Sequence, residues 1–205
     1  MIDKTPHDSS RWIESFRRTL ERPELALADY IKSNWPLIYW LMRMGEPVLE
    51  VGAGTGRGCV ILKRLQPWKR ITALDREPGV CNLIREYAQA MGVDLDVVCG
   101  DVSALPFRDS FQTAFSEGLF EHYPDPAILG GLREMLRVSG DIVISVPTDH
   151  FFYIHLGGYG DERLIPKMHW MGLFDTAGRI AEVSLLGNYT EEASVVAVIT
   201  RRQEE

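Results

Sequence analysis

Val48-Leu49-Glu50-Val51-Gly52-Ala53-Gly54-Thr55-Gly56-Arg57-Gly58 is the stretch that decides the fold. An aliphatic run holding one acid gives way to a glycine cluster. Val60-Ile61-Leu62 and Leu65 then take up a helical period that Pro67 ends. Strand, glycine turn and helix in that order make a place where a ligand meets the backbone, because glycine tolerates positive φ and carries no Cβ. In open α/β sheets such ligands sit beyond the carboxyl ends of the strands. What the loop lacks narrows the ligand. A GxGxxG dinucleotide fingerprint counted from Gly52 needs glycine where Arg57 stands, and counted from Gly54 it needs glycine or alanine where Cys59 stands. A GxxxxGK[ST] phosphate loop fails because no Gly-Lys pair occurs in the chain. There remains GxGxG preceded by Glu50. That carboxylate opposes a pyrophosphate and suits a ligand bearing ammonium or sulfonium. By itself the loop also reads as a plain tight turn.

Moving outward, strand and helix signals alternate. Ile71 to Leu74 is a second strand, and Pro78 opens a helix with Val80, Leu83, Ile84, Tyr87, Ala88 and Met91 at helical spacing. Leu95 to Cys99 is a third strand and Gln112 to Ser116 a fourth. A helix through Ile128, Leu132 and Met135 leads to a fifth strand, Ile142 to Val146. This alternation implies a parallel sheet covered by helices on both faces. Ile180 to Leu186 and Ser194 to Thr200 are strands joined by a short polar connection, hence an antiparallel hairpin at one edge. The chain divides at 46/47, with residues 1–46 as a helical cover and 47–205 as one globular unit. In the cover, Ser10 caps a helix with Trp12, Ile13, Phe16 and Leu20 on its apolar face, and Pro23 breaks it. A second helix follows, and a third runs from Leu37 to Met44. Residues 148–165, rich in aromatics and glycine, read as a long loop and a possible lid.

Two more acids stand where Glu50 stands, at strand ends. Asp75 ends the second strand, where a carboxylate accepts both hydroxyls of a ribose; Asp101 follows the third, where it accepts from an adenine amino group. Any one such acid reads as a turn residue, but three at successive strand ends beside a glycine loop read as a ligand site.

Composition removes other classes. The chain has 205 residues, 45% hydrophobic and 25% charged, which is globular rather than disordered. A formal charge of −7 gives no basic footprint for nucleic acid. The apolar stretch Trp35 to Met44 is about half the ~20 residues of a bilayer span. Met1-Ile2-Asp3-Lys4 does not open a signal peptide, so the expected location is cytoplasmic. Cys59, Cys81 and Cys99 include no CxxC pair, and their odd number points to free thiols rather than a disulfide framework. Asp149, His150, His155 and Asp161 have no metal-ligand spacing, so no metal is expected.

Glu50 to Gly56 resembles motif I of the class I S-adenosylmethionine-dependent methyltransferases. The resemblance extends through Gly100-Asp101-Val102-Ser103-Ala104-Leu105-Pro106-Phe107, Phe115-Ser116-Glu117-Gly118-Leu119-Phe120-Glu121-His122 and Leu132 to Val138. It is similar to the small-molecule branch typified by ubiquinone/menaquinone-biosynthesis enzymes, and it is strong over about 45–147. Val138-Ser139-Gly140-Asp141 departs from the usual Pro-Gly-Gly turn, and Arg179 replaces an aromatic; both lie away from the loop. The resemblance implies a Rossmann-like, seven-stranded, mostly parallel sheet with a reversed last strand, and S-adenosyl-L-methionine as cofactor. It places Gly52, Ala53, Gly54 and Gly56 against the methionine part, with Glu50 orienting the loop. Asp75 would hold the ribose, with Arg76 beside the adenine, while Asp101 would bind the adenine amino group with Val102 packed nearby. Glu117, Gly118 and Leu119 would flank the reacting sulfonium. No Asn-Pro-Pro-aromatic tetrad follows strand four, which disfavours methylation of DNA amines.

The expected partner is a small-molecule methyl acceptor. Its pocket would come from Tyr30, Trp35, Tyr39 and Trp40 on one side and the 150–160 segment on the other; the N-terminal aromatics read equally as core. His122 and Glu121 are the titratable groups nearest the transfer point, and each also reads as a structural residue, so no catalytic residue is assigned. Two other functions fit parts of the pattern: a non-catalytic S-adenosylmethionine-binding sensor or partner subunit, and a nicotinamide-dependent oxidoreductase, which the failed fingerprint disfavours.

Overall fold

The computed structural model describes residues 9–151, 162–186 and 193–202. Helices α1 (Ser9–Glu21) and α2 (Pro23–Arg43) precede an alternating series. This runs β1 (Val48–Val51), α3 (Arg57–Leu65), β2 (Ile71–Asp75), α4 (Pro78–Ala90), β3 (Asp96–Cys99) and β4 (Phe111–Glu117). A 3-10 turn (Phe120–His122), α5 (Asp125–Val138), β5 (Ser139–Pro147), α6 (Lys167–Ala177), β6 (Arg179–Leu186) and β7 (Ser194–Thr200) complete it. The seven strands form one sheet in the order β3-β2-β1-β4-β5-β7-β6. The first five are parallel, and β7 runs antiparallel to both β5 and β6. The return strand β7 is therefore inserted against β5, and β6 takes the edge.

Strand residues alternate between two cores, as a sheet covered on both faces requires. Leu49, Val51, Ala114, Ile142 and Ile144 pack with Ile128, Leu132 and Met135 of α5 and Trp170 and Phe174 of α6. Val48, Phe115 and Val143 face the other way, against Leu37 of α2, Leu62 of α3 and Val80 and Ile84 of α4.

One expectation changes here, and one holds. The second and third cover helices follow each other in α2 across a kink at Asn34 (φ −120°, ψ 20°), two residues before the Pro36 that marks the break in sequence. Pro36 lacks an amide hydrogen and its ring crowds the preceding turn; Asn34 absorbs the strain, and its side-chain amide donates to the Tyr30 carbonyl at 3.3 Å. Cys81 and Cys99 are paired as a disulfide with Cα atoms 6.3 Å apart, and only Cys59 is free and buried. Sequence spacing gave no sign of that pairing, because it depends on α4 crossing the end of β3. Of the 148–165 segment, residues 152–161 lie outside the described residues, and with them His155 and Asp161. Among the described residues no group of side chains has the makings of a metal site, and no helix is long and apolar enough to cross a membrane.

Candidate functional site

A cleft of about 530 Å³ opens at the carboxyl ends of β1, β2 and β4, where sequence reasoning put the ligand. Its floor is the loop between β1 and α3. The Gly52 and Ala53 amides both donate to the Leu74 carbonyl, at 2.8 and 2.9 Å, pinning the loop against β2. Gly52 has φ +71°, and a Cβ there would lie 2.8 Å from the Leu119 side chain. Both facts demand glycine.

Glu50 is 4% exposed, and its Oε2 accepts the Cys59 amide at 2.9 Å. The carboxyl thus ties the strand to the first turn of α3, whose amides favour negative charge. Gly58 makes room for it, since a Cβ there would fall 2.5 Å from Oε1. Burial outweighs that favourable field and pushes the Glu50 carboxyl up to about 8, with the neighbouring Glu117 charge adding to the rise. Asp75 lies across the loop, with Oδ2 accepting the Gly54 amide at 3.1 Å and Oδ1 the Glu77 amide at 3.1 Å. Burial raises its affinity for a proton, and those two amides oppose the rise. Each oxygen keeps a second lone pair for a ligand hydroxyl.

Val102, Glu117, Gly118, Leu119 and Arg76 line the same cleft. Two expected residues do not. Gly56 lies beneath the loop as the left-handed N-cap of α3, its amide donating to the Ala53 carbonyl. Asp101 stands at the rim between the lining residues Gly100 and Val102, and its Oδ1 accepts from the amide and hydroxyl of Ser103 at 2.8 and 2.7 Å.

The helical cover reaches the cleft differently from expectation. Of the four aromatics expected to line it only Tyr30 does, while Trp35 and Tyr39 are about half exposed and Trp40 is buried with its indole donating to Ser184 of β6. The Tyr30 hydroxyl donates to Glu117 Oε2 at 2.7 Å, joining α2 to the end of β4. Burial, and then the Glu117 charge, hold that phenol well above its ordinary value; burial likewise raises Glu117. Trp12 and Phe16 of α1 also line the cleft, Phe16 over the glycine loop and Trp12 edge-on to His122 with ring centres 5.2 Å apart. Sequence reading put these two only on an apolar helix face, and the helical period carries no sign of what that face covers. His122, Glu121 and Phe151 line the cleft as well. Arg57, overlooked in the sequence, lies on its floor with the guanidinium 5.1 Å above the Tyr30 ring.

Six buried or half-buried carboxyls (Glu50, Asp75, Glu77, Glu117, Glu121, Glu162) line the cleft with two guanidinium groups, which favours a ligand with positive charge. The donor and acceptor set fits a nucleoside carrying a sulfonium and an amino-acid tail.

Comparison with known proteins agrees. A family model described as "Methyltransferase domain" matches residues 48–140. A 2-methyl-6-phytyl-1,4-hydroquinone methyltransferase from Oryza sativa subsp. japonica is 38% identical over 112 residues, 52% of this chain and 31% of that protein. A malonyl-[acyl-carrier protein] O-methyltransferase from Xylella fastidiosa is 30% identical over 106 residues, 51% of this chain and 36% of its own. The chain thus spans about a third of the length of these two curated relatives. The crystal structure of magnesium protoporphyrin IX methyltransferase from Synechocystis PCC 6803 with bound SAM superposes with a TM-score of 0.67 at 13% identity, covering 84% of this chain and 80% of that one. Residues 48–140 thus match the methyltransferase-domain family, on a fold shared with a solved methyltransferase that holds SAM.

Proposed function

We propose that this protein transfers a methyl group from S-adenosylmethionine to a small organic acceptor. The observation that carries the reading is one cleft of nucleoside size that collects the glycine loop, Glu50, Asp75 and Glu117 from three adjacent parallel strands. When bound, the cofactor supplies an activated methyl on a positively charged sulfur. Asp75 accepts the ribose hydroxyls and Arg76 lies beside the adenine. Asp101 takes the adenine amino group from the rim, and Val102 packs on the ring. Gly52, Ala53 and Gly54 face the methionine part, with Gly56 supporting them from below and Glu50 fixing the loop's shape. Glu117, Gly118 and Leu119 close the sulfonium end.

The chain's own contribution is mainly orientation. Holding the acceptor in line with the methyl is worth roughly 7–11 kcal/mol of barrier. Trp12, Tyr30 and Phe151 offer aromatic faces for a flat apolar acceptor, and α1 and α2 act as the cover that keeps water from it. A small acceptor is supported by the relatives, one named for a hydroquinone and one for the malonyl group of a malonyl-[acyl-carrier protein]. An acceptor that loses a proton on methylation has His122 and Glu121 within the same cleft to receive it.

The test is a transfer assay with methyl-labelled cofactor against phenols, hydroquinones and carboxylic acids. Label appearing in a small organic product is the expected result. Label in none of them, from a protein that binds S-adenosylhomocysteine, overturns catalysis in favour of a cofactor-binding sensor.

A further inference from the structure

The Cys81–Cys99 bridge stands beside one wall of the cleft. Cys81 lies in the first turn of α4 and is fully buried, with its sulfur 3.3 Å from the Asp75 carbonyl oxygen. Cys99 ends β3 and is exposed. β3 is an edge strand of four residues that pairs with β2 alone, and Cys99 stands opposite Asp75 in that ladder. The chain runs on directly into Gly100 and Val102, which line the cleft, and the Gly100 amide donates to the same Asp75 carbonyl at 2.9 Å. The bridge therefore ties α4 to the strand that carries the Gly100–Val102 wall. Without that covalent tie the wall hangs from a short edge strand, the kind of element that opens most readily.

The two sulfurs differ in a way that favours reversal. The exposed Cys99 sulfur is open to attack, and the leaving group sits in the first turn of a helix. An external thiolate forms a bond to the Cys99 sulfur, the Cys81–Cys99 bond breaks, and Cys81 departs as a thiolate. The amides of the first turn of α4 stabilise that charge until a proton arrives. A second external thiol then displaces Cys99 from the mixed disulfide. The protein pair gains two electrons and two protons, and two external thiols leave as one disulfide. Once reduced, the Cys81 thiol has the Asp75 carbonyl to donate to, so opening strands no buried polar group there. We propose that Cys81 and Cys99 are a reversible thiol switch on the cleft, in which the bridge holds the Gly100–Val102 wall in its binding position and reduction by a small-molecule or protein thiol releases it. This rests on the cofactor reading above and adds regulation to it: affinity for the nucleoside follows the thiol–disulfide balance around the protein.

The chain has three cysteines, so the bridged protein, once unfolded, presents one thiol and the reduced protein three. The test equilibrates wild-type protein in oxidised or in reduced glutathione, counts thiols and reads the mass after unfolding, and titrates S-adenosylhomocysteine into each native form by calorimetry. The oxidised form is expected to show one thiol and no adduct. The reduced form is expected to show three thiols and to bind about fivefold more weakly or worse, with recovery on reoxidation. Cys99→Ser cannot form the bridge. It is expected to bind like the reduced wild type in either buffer and to melt about 5 °C or more below the oxidised protein. Should that variant not fold, the two forms of the wild type carry the comparison. Three thiols in oxidised glutathione, or a glutathione adduct in place of the bridge, overturn the switch. Binding by the reduced form, or by Cys99→Ser, as tight as that of the oxidised form also overturns it and leaves the bridge a plain staple. A wild type that binds S-adenosylhomocysteine in neither form overturns the cofactor reading itself, a result distinct from binding that ignores the bridge.

Discussion

At the scale of single residues, Glu50 carries two opposed demands. It fixes the glycine loop by accepting the Cys59 amide, and it does so from a position where its charged form is poorly solvated. The carboxyl binds its proton up to about pH 8 in the folded chain, against an ordinary value of 4.5. A group whose affinity for a proton is raised on folding adds stability in full below its unfolded value and loses it as the pH rises through the folded one. The ligand-free protein is therefore expected to lose thermal stability between about pH 4.5 and 8 partly through Glu50. Glu50→Gln keeps an oxygen for the Cys59 amide and has no proton to lose. Its melting temperature is expected to fall less steeply with pH across that window. Parallel curves for the two proteins, recorded by scanning fluorimetry, would contradict this account of the site.

At the scale of elements, the cover is joined to the sheet by a buried cation. Lys69, 4% exposed, donates from Nζ to the carbonyls of Leu41 and Met44, at 3.1 and 2.6 Å, where α2 ends. The Leu41 carbonyl otherwise accepts only the Met44 amide among the described residues, at 3.4 Å, and a positive charge at that end suits the helix dipole. Burial lowers the ammonium's hold on its proton, with Glu46 opposing. Lys69→Met is expected to cost about 1–3 kcal/mol in urea unfolding, because it strands buried acceptors. A change below about 0.5 kcal/mol, the range of an ordinary surface substitution, would show that the carbonyls find other partners. The elements themselves were mostly legible. The helical repeat from Val80 to Met91 and the aliphatic runs of β1, β2 and β5 are local patterns, and local patterns survive in sequence. The break within α2 was legible as well, because Pro36 reads as the start of a new helix and the chain kinks two residues before it, at Asn34.

At the scale of the whole molecule, what sequence hides is contact across distance. Glu50 and Asp75 could be found because each ends a strand, and parallel strands bring their ends together. Tyr30 meets Glu117 across 87 residues, and nothing in the helix around Tyr30 marks which side chain it will meet. The same holds for Trp12 against His122 and for the Cys81–Cys99 pair. The hairpin β6–β7 was readable from its short connection, whereas the insertion of β7 beside β5 is a property of the assembled sheet. Within this architecture the cleft stands or falls on acids from neighbouring strand ends holding one nucleoside. Asp75 is the most exacting place to ask, since it meets both the loop and the proposed ribose. Titration of S-adenosylhomocysteine into wild-type protein and Asp75→Ala measures it directly. The account predicts one site per chain, weakened by more than about 1 kcal/mol, or about fivefold in Kd, when the charged acceptor is removed. No binding to the wild type, or the same Kd for both proteins, would contradict it.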